Sequence, residues 1–220
     1  STRSEHAPSP ANPPGPKEST PANVSATNES TPTENESTSV EPAAVEPVDP
    51  GDSAGSVLTT DGRGWGTVAD NDTLDAGSND AFTLEAWVKP GQGSDENALV
   101  LHKKGAWELE LRGTGEERPI QFNMLGGFQP SITSDAGLPS GVWTHVAVVV
   151  DGSQVSLYID GELDSQFSDS DTPVNSANDL QFGTNDAANS QFFVGSVDNV
   201  RIWDTARGLI SIQDNRFVEL

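Results

Sequence analysis

The sequence predicts an all-β fold: a sandwich or jelly roll of antiparallel strands with one short helix near its C-terminus. Two observations carry this. Between Val142 and Leu163, two aliphatic strands are joined and then ended by Asp-Gly pairs. From Gly55 onward, many short alternating runs are separated by Gly, Asp and Asn turns. A third observation sets the boundary. Residues 1–54 are largely Ser, Thr, Pro, Glu and Ala, so the folded domain is expected over residues 55–220.

The central hairpin is the clearest element. Alternation places Trp143, His145, Ala147 and Val149 on one face of its first strand, and Thr144, Val146, Val148 and Val150 on the other. Both faces are mostly apolar and rich in β-branched residues, the pattern of a strand buried on both sides. Asp151-Gly152 turns the chain, because both residues tolerate positive φ. Val155, Leu157 and Ile159 then line the return strand until Asp160-Gly161. Ahead of the hairpin come Val57 to Thr60, Trp65 to Val68, and Phe82 to Val88, which Pro90 stops. Ala98 to Leu101, Trp107 to Arg112, Ile120 to Met124 and a fragment at Ser131 to Thr133 follow. Beyond it lie Asp179 to Gly183 and a long strand from Phe192 to Trp203. The last segment reads as a short helix capped by Asp204 or Thr205, with Leu209, Ile212 and Phe217 along one side.

Residues 1–54 hold almost nothing large and apolar, so a disordered, Pro-stiffened stalk is expected there. Asn23, Asn28 and Asn35 head N-x-Ser/Thr sequons in it, and Asn71 heads a fourth, which points to a glycosylated surface protein. The chain has 11 basic and 34 acidic residues, for a net charge of -23. Nucleic acid is therefore not an expected partner, since phosphate binding needs clustered Lys and Arg. From Ser56 onward there are 25 acidic and 9 basic residues. That excess fits either a solvated surface or adaptation to high salt, which screens the mutual repulsion. The lack of cysteine excludes disulfides and thiolate chemistry, and no apolar run reaches membrane-spanning length.

Four separated motifs resemble those of laminin-G-like domains, in order and spacing. They are Phe82-Thr-Leu-Glu-Ala-Trp-Val-Lys-Pro90, Trp143-Thr-His-Val-Ala147, Leu157-Tyr-Ile-Asp-Gly161 and Gly195-Ser-Val-Asp-Asn-Val-Arg-Ile-Trp203. Asp61-Gly62 with Trp65 resembles the opening motif of the same domains, which belong to the concanavalin A-like lectin/glucanase superfamily. The resemblance spans about residues 55–220 and implies a two-sheet antiparallel jelly roll. It also implies a glycan- or protein-binding module of extracellular or cell-surface molecules, often calcium-assisted.

Several residues are candidates for such a site. Hard cations favour acidic and amide oxygens on turns. The loop from Gly183 to Asn189 resembles in position a metal-binding loop of the related pentraxins, which carries over only to Asn185 and Asp186. Asp198, expected on one strand face with Val200 and Ile202, needs a partner if it points inward, and a cation shared with Asp61, Asp70 or Asp72 would supply one. Trp65, Trp107 and Phe128 lie in Gly-rich surroundings and are candidate sugar-stacking aromatics. Glu108-Leu-Glu110 departs from the glycanase pattern, which has an Asp between its two Glu, and is expected to face solvent. Glu85 and His145 are expected to be structural, and no enzyme activity is expected.

The preferred reading is a calcium-assisted adhesion or recognition module that binds a glycan or glycoprotein at the cell surface without turnover. A structural subunit of a surface filament or coat is the alternative, and an accessory module of a larger glycoside hydrolase is a third. The laminin-G-like domains usually close their sheet with a strand after the C-terminal helix. That strand has no source here before Leu220, so the Val57 to Thr60 edge is expected to be closed either by a continuation of the chain, of which this sequence would be a fragment, or by self-association through strand addition from a neighbouring molecule.

Overall fold

The computed structural model describes residues 22–23, 57–75, 81–125, 131–168, 174–185 and 190–216. Phe128, Asp186, Asn28, Asn35 and nearly all of the expected stalk lie outside the described residues. Two antiparallel sheets make up the domain. The first has the order β1 (Ala22–Asn23), β13 (Val194–Trp203), β4 (Ala81–Pro90), β9 (Thr144–Asp151), β10 (Gln154–Ile159), β11 (Glu162–Ser168), with β2 (Leu58–Asp61) also paired to β13. The second has the order β3 (Gly66–Val68), β12 (Leu180–Phe182), β5 (Asn97–Lys103), β6 (Trp107–Arg112), β7 (Glu117–Met124), β8 (Ser131–Pro139). A single α-helix among the described residues, α1 (Leu209–Asn215), follows β13.

The hairpin forms where the sequence places it. Asp151 pairs with Gln154 across a tight turn in which Gly152 has φ 58. At the next turn Asp160 (φ 51) and Gly161 (φ 80) are both left-handed, the geometry that matches strand twist in a two-residue hairpin. That turn brings back β11, whose half-exposed polar residues show no apolar alternation.

Between the sheets, Phe82, Leu84 and Val88 of β4 pack in one core with Leu109 and Leu111 of β6 and Ile120 and Phe122 of β7. Ring centroids lie 5.9 Å apart for Phe82–Phe122 and 6.4 Å apart for Trp107–Phe122. Each such side chain contributes about 1.5–3 kcal/mol by leaving water. Val146, Val148 and Val150 face this core, while Ala147 and Val149 pack under Ile212 of α1. β9 is thus buried on both faces, as its sequence predicts.

Two expectations are corrected and a third is narrowed. The helix is capped by Gly208 without a side-chain bond, not by Asp204 or Thr205. The residues before it run non-helically over β4, held by Thr83, whose hydroxyl donates to the Thr205 carbonyl at 2.8 Å and accepts from Arg207 N at 2.9 Å. Secondly, a register shift between Asp198 and Arg201, with Asn199 at φ 48, changes the strand's parity. Val197, Val200 and Ile202 therefore join the inter-sheet core, and Asp198 does not share their face. Thirdly, part of the outer edge of β13 is covered from within the N-terminal segment, where Ala22 pairs with Ile202 and Asn23 with Arg201. β2 occupies the rest of that edge, and β13 is its one strand neighbour among the described residues.

Candidate functional site

The motif residues that carry the resemblance converge on a buried cluster beneath the C-terminal segment. Glu85 is 0% exposed, and its two oxygens lie 3.4 Å from Arg207 Nη1 and 3.7 Å from His145 Nε2. Arg201 is buried beside them. Desolvation lowers the pKa of its guanidinium, and the charges of Glu85 and Asp198 oppose that shift. Trp87 Nε1 donates to the Arg216 carbonyl at 2.8 Å, and the Arg207 guanidinium stacks 3.8 Å above the Trp203 ring. These groups fasten residues 204–216 to the sheet. The expectation of a structural Glu85 and His145 fits this placement, although His145 meets an ion pair under the helix and not the inter-sheet core.

The opposite sheet presents a different polar surface. Alternation in β6 and β7 sends Trp107, Leu109, Leu111, Ile120, Phe122 and Met124 into the core, so Glu108, Glu110, Arg112, Gln121 and Asn123 share the outer face. Register assembles the first two and last two of these into two rows across the strands, with Arg112 beside them in line with Asn97. One runs Thr67, Gln181, His102, Glu108, Asn123, Ser131, and the other Leu99, Glu110, Gln121, Thr133. A hydrogen-bond chain links them. Gln121 Nε2 donates to Asn123 Oδ1 (2.6 Å), Asn123 Nδ2 to Glu108 Oε1 (2.8 Å) and Glu110 Oε2 (3.5 Å), and Arg112 Nη1 to Glu110 Oε2 (3.1 Å).

This geometry corrects the expectation for Glu108-Leu-Glu110. Glu110 is only 3% exposed and ion-paired, and Glu108 is half-buried. Burial raises the Glu108 pKa above the usual carboxylate range; the Asn123 bond opposes this and the Glu110 charge adds to it. Sequence reasoning passed over Gln121, Asn123 and Arg112. Their signal was the polar half of an alternating strand facing acids on its neighbour.

The predicted site residues are scattered. Trp65 is 47% exposed just before edge strand β3, whereas Trp107 is 1% exposed in the inter-sheet core and offers no face to a ligand. Asp61 is exposed and accepts from Arg63 N and Gly64 N, which lowers its pKa. Asp198 accepts from its neighbour Asn199 N at 2.7 Å. Asp70 is bound to the buried Lys103, whose Nζ lies 2.5 Å from its carboxylate, 2.9 Å from the Asn178 carbonyl and 3.8 Å from Asp75. Asp70 is thus compensated by an ammonium of the chain itself. Among the described residues no three His, Asp or Glu come together in a metal-binding arrangement. Asn185 Nδ2 donates to Ser190 Oγ at 2.7 Å. That loop is rooted beside β5, with Gly183 N on the Val100 carbonyl and Leu99 N on the Gln191 carbonyl. Asn71 is exposed at the start of a 3₁₀ turn, its side chain accepting from Thr73 N at 3.0 Å and from the Thr73 hydroxyl.

Residues 60–213 match a laminin-G model described as concanavalin A-like lectin/glucanases superfamily. The chain belongs to this superfamily. Its laminin-G-like domain is 28% identical over 148 residues to usherin of Rattus norvegicus, covering 63% of this chain and 3% of usherin. Domain 4 of AbnA, an extracellular arabinanase of Geobacillus stearothermophilus solved with arabinotriose, has a TM-score of 0.54 at 22% identity, covering 72% of this chain and 75% of that one. The ligand-binding domain of botulinum neurotoxin serotype D, solved with N-acetylneuraminic acid, has a TM-score of 0.54 at 16% identity, covering 69% and 39%. At these identities the structural likeness establishes the β-sandwich fold. No helix among the described residues is long and apolar enough to cross a membrane.

Proposed function

We propose that the laminin-G-like domain is a non-catalytic carbohydrate-binding module of an extracellular or cell-surface protein, and that it holds its glycan on the outer face of the six-stranded sheet. The observation that carries this reading is the pair of polar rows centred on Glu108, Glu110, Gln121 and Asn123. Planar amides and carboxylates preorganised on rigid strands suit sugar hydroxyls, each of which both donates and accepts. Glu108 adds a second argument, because a carboxylate kept half-buried at an energetic cost is more typical of a working site than of plain surface. The Glu110 carboxylate, buried against Arg112, supports a reading of binding without turnover. Trp65 before β3 is proposed as a stacking aromatic at the border of this face, and Phe128 is kept as a stacking candidate on its sequence alone. Calcium is proposed at Asn185 and Asp186.

A glycan array followed by calorimetric titration tests the reading. Asn123→Ala and Gln121→Ala are expected to weaken binding at least tenfold while leaving the melting temperature nearly unchanged. Array binding that survives both substitutions would place the site elsewhere. Titration with and without chelator tests the calcium contribution, which is dropped if the two curves coincide.

A further inference from the structure

We propose that the outer face of the six-stranded sheet takes neutral oligosaccharides and rejects anionic ones such as sialylated, uronate or sulfated glycans. The inference rests on the carbohydrate-binding reading above and specifies its ligand class.

The first ground is the donor and acceptor inventory. The amide hydrogens of Asn123 are both directed into the tract, one toward Glu108 (2.8 Å) and one toward Glu110 (3.5 Å), and Gln121 commits one of its own to Asn123 (2.6 Å). Arg112 turns a donor inward to Glu110 at 3.1 Å. Within the two rows the groups left to meet a ligand are mainly acceptors, the carboxylate of Glu108 and the amide oxygen of Gln121, while Arg112 beside the rows keeps its other N–H donors. A sugar hydroxyl can donate to such a surface, whereas carboxylate and sulfate oxygens only accept.

Charge is the second ground. Glu108 and Glu110 contribute two carboxylates to the two rows, which hold no Lys or Arg; Arg112 lies beside them, in register with Asn97. Arg112 is ion-paired to Glu110 and reaches Glu108 only through longer-range attraction, so the charge of Glu108 is the less compensated of the two. Half-burial keeps that charge from full solvent screening, and like charges brought together across an interface discriminate strongly between partners. The domain's acidic excess acts in the same direction at longer range and low salt.

The experiment uses the full chain and matched probe pairs: lactose with 3′-sialyllactose, and galacto-oligosaccharides with oligogalacturonides of equal length. Each pair is titrated calorimetrically at two salt concentrations. The expected result is that the anionic member of any pair that binds is at least tenfold weaker, with the gap narrowing as salt rises. Glu108→Gln, which replaces an acceptor-only group with an amide, should shrink the gap at least threefold. Glu110→Gln should shrink it independently by releasing Arg112, so the proposal stays testable if one variant folds poorly. An anionic member that binds as well as its neutral partner overturns the proposal. So does a gap that neither substitution changes. Absence of binding to every glycan on the array removes the carbohydrate-binding reading itself, and the specificity proposal with it.

Discussion

Replacing Glu85 by Gln removes the one negative charge among the described residues that lies in salt-bridge range of Arg207 and His145, while keeping the side chain's shape. The carboxylate is fully buried, and Arg201 and His145 beside it are nearly so. A guanidinium 3.4 Å from a carboxylate attracts it by about 5 kcal/mol at an effective dielectric of 20, an energy offset by several kcal/mol of desolvation for each ion. The intact cluster is thus worth little net, but breaking it leaves buried cations uncompensated, at a cost of about 3–5 kcal/mol. Set against a typical stability of about 5–15 kcal/mol, that is a large fraction. For a domain of this size it lowers the melting temperature by roughly 6–20 °C. Urea denaturation followed by circular dichroism measures it. The midpoint should fall with an unchanged slope, and Glu85→Gln combined with Arg207→Met should recover part of the loss. A Glu85→Gln protein within about 1 kcal/mol of the parent would refute the reasoning, because it would mean that water reaches the cluster.

Four further outcomes are expected. Glu108 has a raised folded-state pKa, so the stability it contributes is present at low pH and lost as pH rises through that pKa; Glu108→Gln should therefore raise the melting temperature at pH 7, with the difference closing toward pH 4. Asp70→Asn deprives the fully buried Lys103 of its 2.5 Å partner and should cost about 3 kcal/mol in denaturant titration, the low end for a broken buried pair because Asp75 remains at 3.8 Å. Asn71→Asp preserves the cap on Thr73 but removes the amide nitrogen that would carry a glycan, so protein from a glycosylating host should lose one glycan's mass while its stability moves by less than about 0.5 kcal/mol. The acidic domain should also melt at a higher temperature in molar KCl than in dilute buffer; a flat or falling trend would remove the high-salt reading.

Strands rich in apolar residues were legible in the sequence, and a mainly polar one was not. β4 and β13 carry apolar residues at alternate positions and β9 a β-branched apolar run on both faces, and their extents follow from that. β11 escaped notice because it is mostly polar and its two apolar residues form no alternating run: Leu163 is exposed, and Phe167 alone packs against the core. The Asp160-Gly161 turn and backbone pairing hold the strand. Asp198 was assigned the wrong face because one extra residue in a bulge reverses the parity of everything beyond it, and no side-chain pattern announces that. The helix start was misplaced for a related reason. Thr205 is a good capping residue, yet its carbonyl is engaged by Thr83 from a strand more than a hundred residues earlier. Trp107 misled through composition, since Gly105 beside it marks a turn while the ring itself goes inward to Phe122.

The residues that identify the fold and those proposed to bind the ligand answer to different physics. Glu85, Trp87, His145, Arg201 and Trp203 make their charge and ring contacts within the chain, with Arg207 and the Arg216 carbonyl brought over by the C-terminal segment. Such a cluster can be read from a motif, because every partner is part of the same fold. On the outer face the chain of bonds from Gln121 through Asn123 to Glu108 ends at solvent, and nothing in strand pairing requires an amide there in place of any other polar side chain. The backbone register only guarantees that positions 108, 110, 121 and 123 are neighbours. What stands at those positions is free to vary with the ligand while the sandwich stays the same. A resemblance carried by the first group therefore names the fold, and the ligand has to be read from the second.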